Sequence, residues 1–232
     1  MAFHRGPKII TDGLVLALDA ANPKSYPGTG TTWKDLSGGG NNGTLTNGPT
    51  YNSVNKGRFT FDGTNDYVIV NSPTLNPVGN SDFSISTWVK LNSLPQVNDR
   101  IVTQGVDSNN YFNLATYGGN DPSTYSIFWF EVKKNGTLYG GFLNGPRKYE
   151  TDIWYNLVGT FNNSTNAINF YINNTSVSGT GVYGGAPTSY GPIYIGKAVA
   201  FPGDIAQVQM YNKELTSNEV LQNYNATKNR FI

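Results

Sequence analysis

Clusters of Gly, Asn, Ser, Thr and Pro recur at short intervals along this chain, between runs of β-branched and aromatic residues. A chain broken this often has no room for long helices, and each uninterrupted run is the length of a strand. The runs that read as strands are "LVLALD" (14–19), "YVIV" (67–70), "FSISTWVKL" (83–91), "IVTQ" (101–104), "YFNLAT" (111–116) and "YSIFWFEVK" (125–133). They continue with "TLYGGFL" (137–143), "WYNLVGTF" (154–161), "AINFYIN" (167–173), "IYIG" (193–196) and "DIAQVQMYN" (204–212). Asn135-Gly136 lies between two of these runs and predicts a tight hairpin, because both central positions of that turn favour positive φ.

Alternation assigns faces. In 83–91, Phe83, Ile85, Val89 and Leu91 share one side and Ser84, Ser86 and Lys90 the other, with Trp88 as the exception. The run 125–133 is apolar on both sides, with Phe128, Phe130 and Val132 opposite Tyr125, Ile127 and Trp129, which predicts a strand covered on both faces in mid-sheet. Only the end reads as helix. Thr216 can cap it with Glu219 as capping-box partner, and Leu215 and Val220 can form a hydrophobic staple. The expectation is an all-β layout of two packed antiparallel sheets with a short C-terminal helix, built from roughly eleven to fourteen strands.

At 232 residues this suits one domain, 12–232, preceded by an arm, 1–11, whose basic and apolar residues could act as a tether. The net charge of +1 comes from 16 basic and 15 acidic residues without blocks, which argues against nucleic acid as a partner. Cysteine is absent, so packing and backbone pairing must hold the fold. The start, "MAFHRGPKII", has no apolar stretch of signal-peptide length and no run approaches membrane-spanning length, so synthesis in the cytosol without membrane association is expected.

Six stretches taken together, "DGLVLALDAANPKSY", "TTWKDLSGGGNNGTLTNGP", "FTFDGTNDYVIV", "FSISTWVKL", "WYNLVGTFN" with "FYINNTSVSG", and "GDIAQVQMYNKELTSNEVLQNYNATKNRF", resemble the concanavalin A-like lectin/glucanase superfamily in its laminin G and pentraxin-like branch. More narrowly, they look like the single-domain form found among structural proteins of tailed bacteriophages. The resemblance implies an all-β antiparallel jelly-roll sandwich of two curved sheets, one convex and one concave, with ligands at the concave face or the loop rim. It also implies display on a virion surface, other capsid or tail proteins as partners, and homo-oligomers. Function varies too widely in this superfamily to follow from fold.

Three kinds of site merit weighing. Calcium takes six to eight oxygens, and Asp62, Asn65 and Asp66 offer three side chains within one turn. In the pentraxins an adjacent acid and amide before this strand bind calcium, and Asn65-Asp66 resembles that pair reversed. The loop that would complete the cage, "AVAFPG", has no carboxylate before Asp204. The alternative is an Asx turn at Asp62 with Gly63 at positive φ. Asp19 and Asp35 read likewise as turn and cap formers.

Catalysis is disfavoured. A retaining glycosidase needs carboxyl groups about 5–5.5 Å apart, and the four glutamates, Glu131, Glu150, Glu214 and Glu219, show no such spacing, Glu150 and Asp152 being the nearest acidic pair. His4 is the sole histidine. Sugar binding needs only an aromatic face and a few polar groups in a preformed hollow. Tyr125, Trp129 and Glu131 alternate onto one side of a strand, and Tyr139 on the next could join them; Trp129 could equally be core. The expectation is a non-enzymatic virion surface protein that holds glycans weakly and gains from many copies. The rivals are a purely structural capsid-stabilising protein and a glycoside hydrolase.

Overall fold

The computed structural model describes residues 7–54, 57–72, 75, 81–93, 99–118, 126–141, 149–177, 191–197 and 201–232. Among these are sixteen strands in two antiparallel sheets. The strands are β1 (Leu14–Asp19), β2 (Thr32–Trp33), β3 (Gly43–Thr46), β4 (Thr50–Asn52), β5 (Arg58–Asp62), β6 (Tyr67–Val70), β7 (Phe83–Leu91) and β8 (Arg100–Asp107). The remainder are β9 (Asn110–Gly118), β10 (Ser126–Lys134), β11 (Thr137–Gly141), β12 (Trp154–Phe161), β13 (Ile168–Ile172), β14 (Thr175–Val177), β15 (Ile193–Ile195) and β16 (Pro202–Tyr211).

The first sheet runs β14-β13-β12-β7-β16-β5-β4, with β1 also pairing β16; the second runs β11-β10-β9-β8-β15-β6-β3-β2. Their inner faces interleave a single apolar core. Phe83 packs within 5.3–6.2 Å of Phe112, Phe130 and Phe161, centroid to centroid, which links both layers through tilted and edge-on ring contacts. Strand β10 is paired on both sides but lies second from its sheet edge rather than in the middle, with β11 outside it. The β10–β11 hairpin turns at Asn135 (φ 50°) and Gly136 (φ 80°), as the sequence predicts.

The helix α1 (Ser217–Thr227) starts at the predicted capping box. Thr216 accepts from the Glu219 amide while Glu219 accepts from the Thr216 amide. Leu215 and Val220 are buried in one small cluster with Val158, Tyr171 and Tyr211. Leu221 is 41% exposed; the buried positions of the helix are Val220, Asn223 and Thr227.

The same helix explains why Trp88 breaks the alternation of β7. Trp88 lies on the outer face of the first sheet and is covered by the C-terminal segment. It stacks on Phe231 (4.3 Å, 18°) and Tyr224 (5.8 Å, 16°), and its indole N–H donates to Thr227 Oγ1 at 2.9 Å. Arg230 grips Asp19 through two bonds of 2.8 and 2.9 Å, fixing the end of the chain to β1. Nearby, the Ile10 amide donates to Asn223 Oδ1 (2.7 Å) and the Tyr211 hydroxyl to the Ile10 carbonyl (3.2 Å), so residue 10 of the expected arm lies on the helix.

Candidate functional site: the outer face of the second sheet

Register decides what the second sheet presents outward. Thr32 opposes Thr44, Thr44 opposes Ile69, Ile69 opposes Tyr194, Tyr194 opposes Thr103, Thr103 opposes Asn113, and Asn113 opposes Glu131. One transverse row therefore crosses seven strands, about 29 Å at the usual spacing between neighbours. It lies on the face opposite Phe128, Phe130 and Leu114, which point into the core.

The row has a closed half and an open half. In the closed half Thr103 Oγ1 donates to Asn113 Oδ1, Asn113 Nδ2 donates to Glu131 Oε1, and Arg100 pairs with Glu131 at 3.5 Å. All four residues are at most 3% exposed, and Trp129, beside them under the Arg100 guanidinium, is 1% exposed. Burial pulls the Arg100 guanidinium below its ordinary pKa while Glu131 draws it back up. The open half contains exposed Thr32 and Thr44 and half-buried Ile69, with half-buried Tyr67 and Thr46 one step along. Tyr67 and Tyr194 meet edge to face at 5.9 Å, and Lys197 places its ammonium 4.4 and 4.0 Å from their ring centres. Among the described residues no carboxylate lies within ion-pair distance of that ammonium.

Where β2 borders this face, the loop before it forms a cleft of about 330 Å³ lined by Pro23, Lys24, Ser25, Thr31, Thr32 and Lys34, among others. Tyr26 holds the loop in shape by donating to the Gly30 carbonyl at 2.8 Å.

The expected aromatic platform requires correction. Trp129 and Glu131 do share the outer face, but both are buried, with the Arg100 guanidinium 5.8 Å over the Trp129 ring and Asn113 donating to Glu131. Tyr139 opposes Val132 and so faces the inter-sheet core, where it packs against Phe161 at 6.2 Å. Tyr125 lies outside the described residues. Lys197, Tyr67 and Tyr194 were not singled out from sequence. The alternation of "YVIV" does put Tyr67 and Ile69 on one side, but the pairing of β6 with β15 is invisible locally.

The acidic turn is likewise built as a turn. Asp62 Oδ1 accepts from the amides of Thr64 (2.8 Å) and Asn65 (3.3 Å), Gly63 sits at φ 75°, and Asp66 Oδ2 accepts from the Asp62 amide at 3.1 Å. Those backbone bonds, that from Thr64 foremost, hold the Asp62 carboxyl below its ordinary pKa; burial pushes Asp66 up. Asp204, the next acid after the loop, is saturated by Arg58 (2.8 Å), Lys90 (3.2 Å), Thr60 (2.6 Å) and Asn92 (3.2 Å). Among the described residues no three His, Cys, Asp or Glu side chains come together, and the Asp62 and Asp66 oxygens that accept backbone amides are engaged in the turn itself. Asp35 also serves a turn, accepting from Ala17, Ser37 and Asn41 amides at 2.8–3.0 Å.

Glu150 and Asp152 stand exposed on a turn, with Asp152 at φ 64° and 3.5 Å from Lys90. No helix among the described residues is long and apolar enough to cross a membrane.

No curated protein matches the sequence. Among solved structures, the chain is similar to the binding domain of Paraclostridial Mosquitocidal Protein 1 (TM-score 0.68, 20% identity, covering 93% of this chain and 52% of that one). It is similar also to domain 4 of AbnA, a GH43 extracellular arabinanase from Geobacillus stearothermophilus, in complex with arabinotriose (TM-score 0.62, 20% identity, 91% and 98%). A third is Trypanosoma rangeli sialidase in complex with the inhibitor DANA (TM-score 0.61, 16% identity, 97% and 34%). The chain thus spans about a third of the sialidase and half of the mosquitocidal domain, and identities this low carry the fold alone. A profile of the Concanavalin A-like lectin/glucanases superfamily matches residues 62–221, well over half the chain. With its two antiparallel sheets and single terminal helix, the chain belongs to the concanavalin A-like lectin/glucanase superfamily.

Proposed function

We propose that this is a non-catalytic, lectin-like domain that holds glycan chains on the outer face of its second sheet. The observation that carries this reading is the transverse row: a preformed strip about 29 Å long, hydroxyl-rich and aromatic in its open half, and stiffened in its closed half by the Arg100–Glu131–Asn113–Thr103 network. Tyr67 supplies a ring face for the C–H surface of a pyranose, and Thr32, Thr44 and Thr46 supply hydroxyls. Non-catalytic action fits the inventory of acids. Glu131 is sequestered by Arg100, Asp62 and Asp66 are committed to their own turn, and Glu150 and Asp152 sit on an exposed corner.

The particle on which such a domain would sit is a tailed-phage virion, by the sequence resemblance, with capsid or tail proteins as neighbours and multiple copies compensating weak single-site affinity. Screening the folded chain against a panel of neutral and acidic oligosaccharides tests the binding reading. Retention of at least one glycan, weakened in Tyr67→Ala, is expected; retention of none favours the purely structural alternative, and release of reducing ends from any polysaccharide revives the hydrolase. Fractionation of intact particles, looking for the polypeptide and its copy number, tests the location.

A further inference from the structure

Resting on that glycan-binding reading, we infer that the preferred ligand is an acidic polysaccharide, a chain of uronic acid units. Its carboxylates would be met by Lys197 over Tyr67 and Tyr194, and at the far end of the open half by Lys24 and Lys34, without a bound metal ion.

The charges on this face point one way. Glu131 is cancelled by Arg100 and buried at 3% exposure, so it offers no net repulsion at the open half. Lys197 forms no ion pair among the described residues and stays half-buried, its ammonium held over two aromatic faces. An ammonium placed this way loses little further conformational freedom on meeting an anion, and the ring beside it can take the sugar's apolar surface. Lys24 and Lys34 line the cleft that shares Thr32 with the row, and that cleft contains hydroxyl groups but no carboxylate.

Spacing argues for a polymer rather than a small anion. Thr32 and Tyr194 stand three strand steps apart in the row, about 14 Å. One monosaccharide carboxylate can reach only one of the two cationic ends, whereas a polyuronate carries a charge on every unit and can satisfy both. The acidic turn does not compete, because Asp62 and Asp66 are both engaged by backbone amides and neither lies within ion-pair distance of Lys197.

The test is affinity electrophoresis and titration calorimetry of the whole chain, with and without EDTA, with polygalacturonate and with the same polymer fully methyl-esterified. Expected are binding to polygalacturonate, a loss of at least about tenfold on esterification, and a comparable loss in Lys197→Gln whose melting temperature is unchanged, with a smaller loss in the Lys24→Gln/Lys34→Gln double variant. Equal binding to both polymers overturns the acidic-ligand inference but leaves the glycan reading standing. Binding to neither polymer overturns the acidic-ligand inference, and the glycan reading then stands or falls on the oligosaccharide panel. Binding abolished by EDTA, or acid preference retained in Lys197→Gln, removes the metal-free ammonium from the account.

Discussion

Gly159 on β12 and Phe130 on β10 face each other across the sandwich, and a Cβ added to Gly159 would lie 2.5 Å from the phenylalanine ring. The ring packs against the glycine backbone, with Phe170 and Phe83 at 6.5 and 6.2 Å around it. Because interiors are packed to crystal density, Gly159→Ala is expected to overpack this contact and cost about 1–3 kcal/mol. Urea unfolding measures it; a variant as stable as the parent would mean that the layers part more freely than this contact implies.

Trp88 anchors the C-terminal segment. Trp88→Ala is expected to cost about 3–5 kcal/mol, and Trp88→Phe less, because the ring stack on Phe231 and Tyr224 survives while the bond to Thr227 is lost. Hydrogen exchange should show the helix amides opening in Trp88→Ala well before those of β7. Loss of protection spread evenly over both would count against an anchoring role.

The buried Arg100–Glu131 pair should be asymmetric to mutation. Glu131→Gln removes the carboxylate that Arg100 meets at 3.5 Å, where both side chains are 4% exposed, and is expected to destabilise by about 3–5 kcal/mol. The double variant Arg100→Met/Glu131→Leu should recover most of that loss. Denaturation midpoints of the single and double variants decide it, and additive losses would contradict the pairing.

Asp66 ties stability to pH. Burial raises its folded pKa above the unfolded value, with the Asp62 charge adding to the rise and the Asp62 amide opposing it. A raised acid binds its proton more tightly when folded, so its penalty is absent below the unfolded value of about 3.9 and grows as pH rises through the folded pKa. Asp66→Asn keeps an oxygen for the Asp62 amide and removes the titration. Its melting temperature should therefore gain on the parent as pH climbs from about 4 towards 7, and a constant difference across that range would show that Asp66 does not titrate in folding.

Calcium should not stabilise the chain. A ligand at a hundred times its Kd adds about 2.7 kcal/mol to folding, so a working calcium site would lift the melting temperature by several degrees. Addition of about 10 mM calcium chloride is expected to leave it unmoved, and EDTA likewise.

The strands dense in apolar and aromatic residues were legible because local pattern determines them. Leu14–Asp19, Tyr67–Val70, Phe83–Leu91 and Trp154–Phe161 fall at the predicted bounds. The short edge and near-edge strands, such as Thr32–Trp33, Gly43–Thr46 and Thr175–Val177, are rich in Thr, Gly and Ser, carry little alternation, and form only because a neighbour pairs with them. Arg58–Asp62, whose Phe59 and Phe61 do alternate inward, is a run of only five residues that ends in the acidic turn, so its pattern is short for a strand signal. The candidate site was hidden for a related reason. Tyr67 and Tyr194 meet only through the β6–β15 register, and Trp129 reads as a platform until Arg100, from another strand, is laid against it.

The helix that seals Trp88, with Asp204 locked between Arg58 and Lys90 nearby, leaves the sandwich two unlike sides. One is a back plugged by the chain's own end; the other leaves Thr32 and Thr44 exposed. On the proposed reading, attachment through that back alone would keep those hydroxyls free for a glycan.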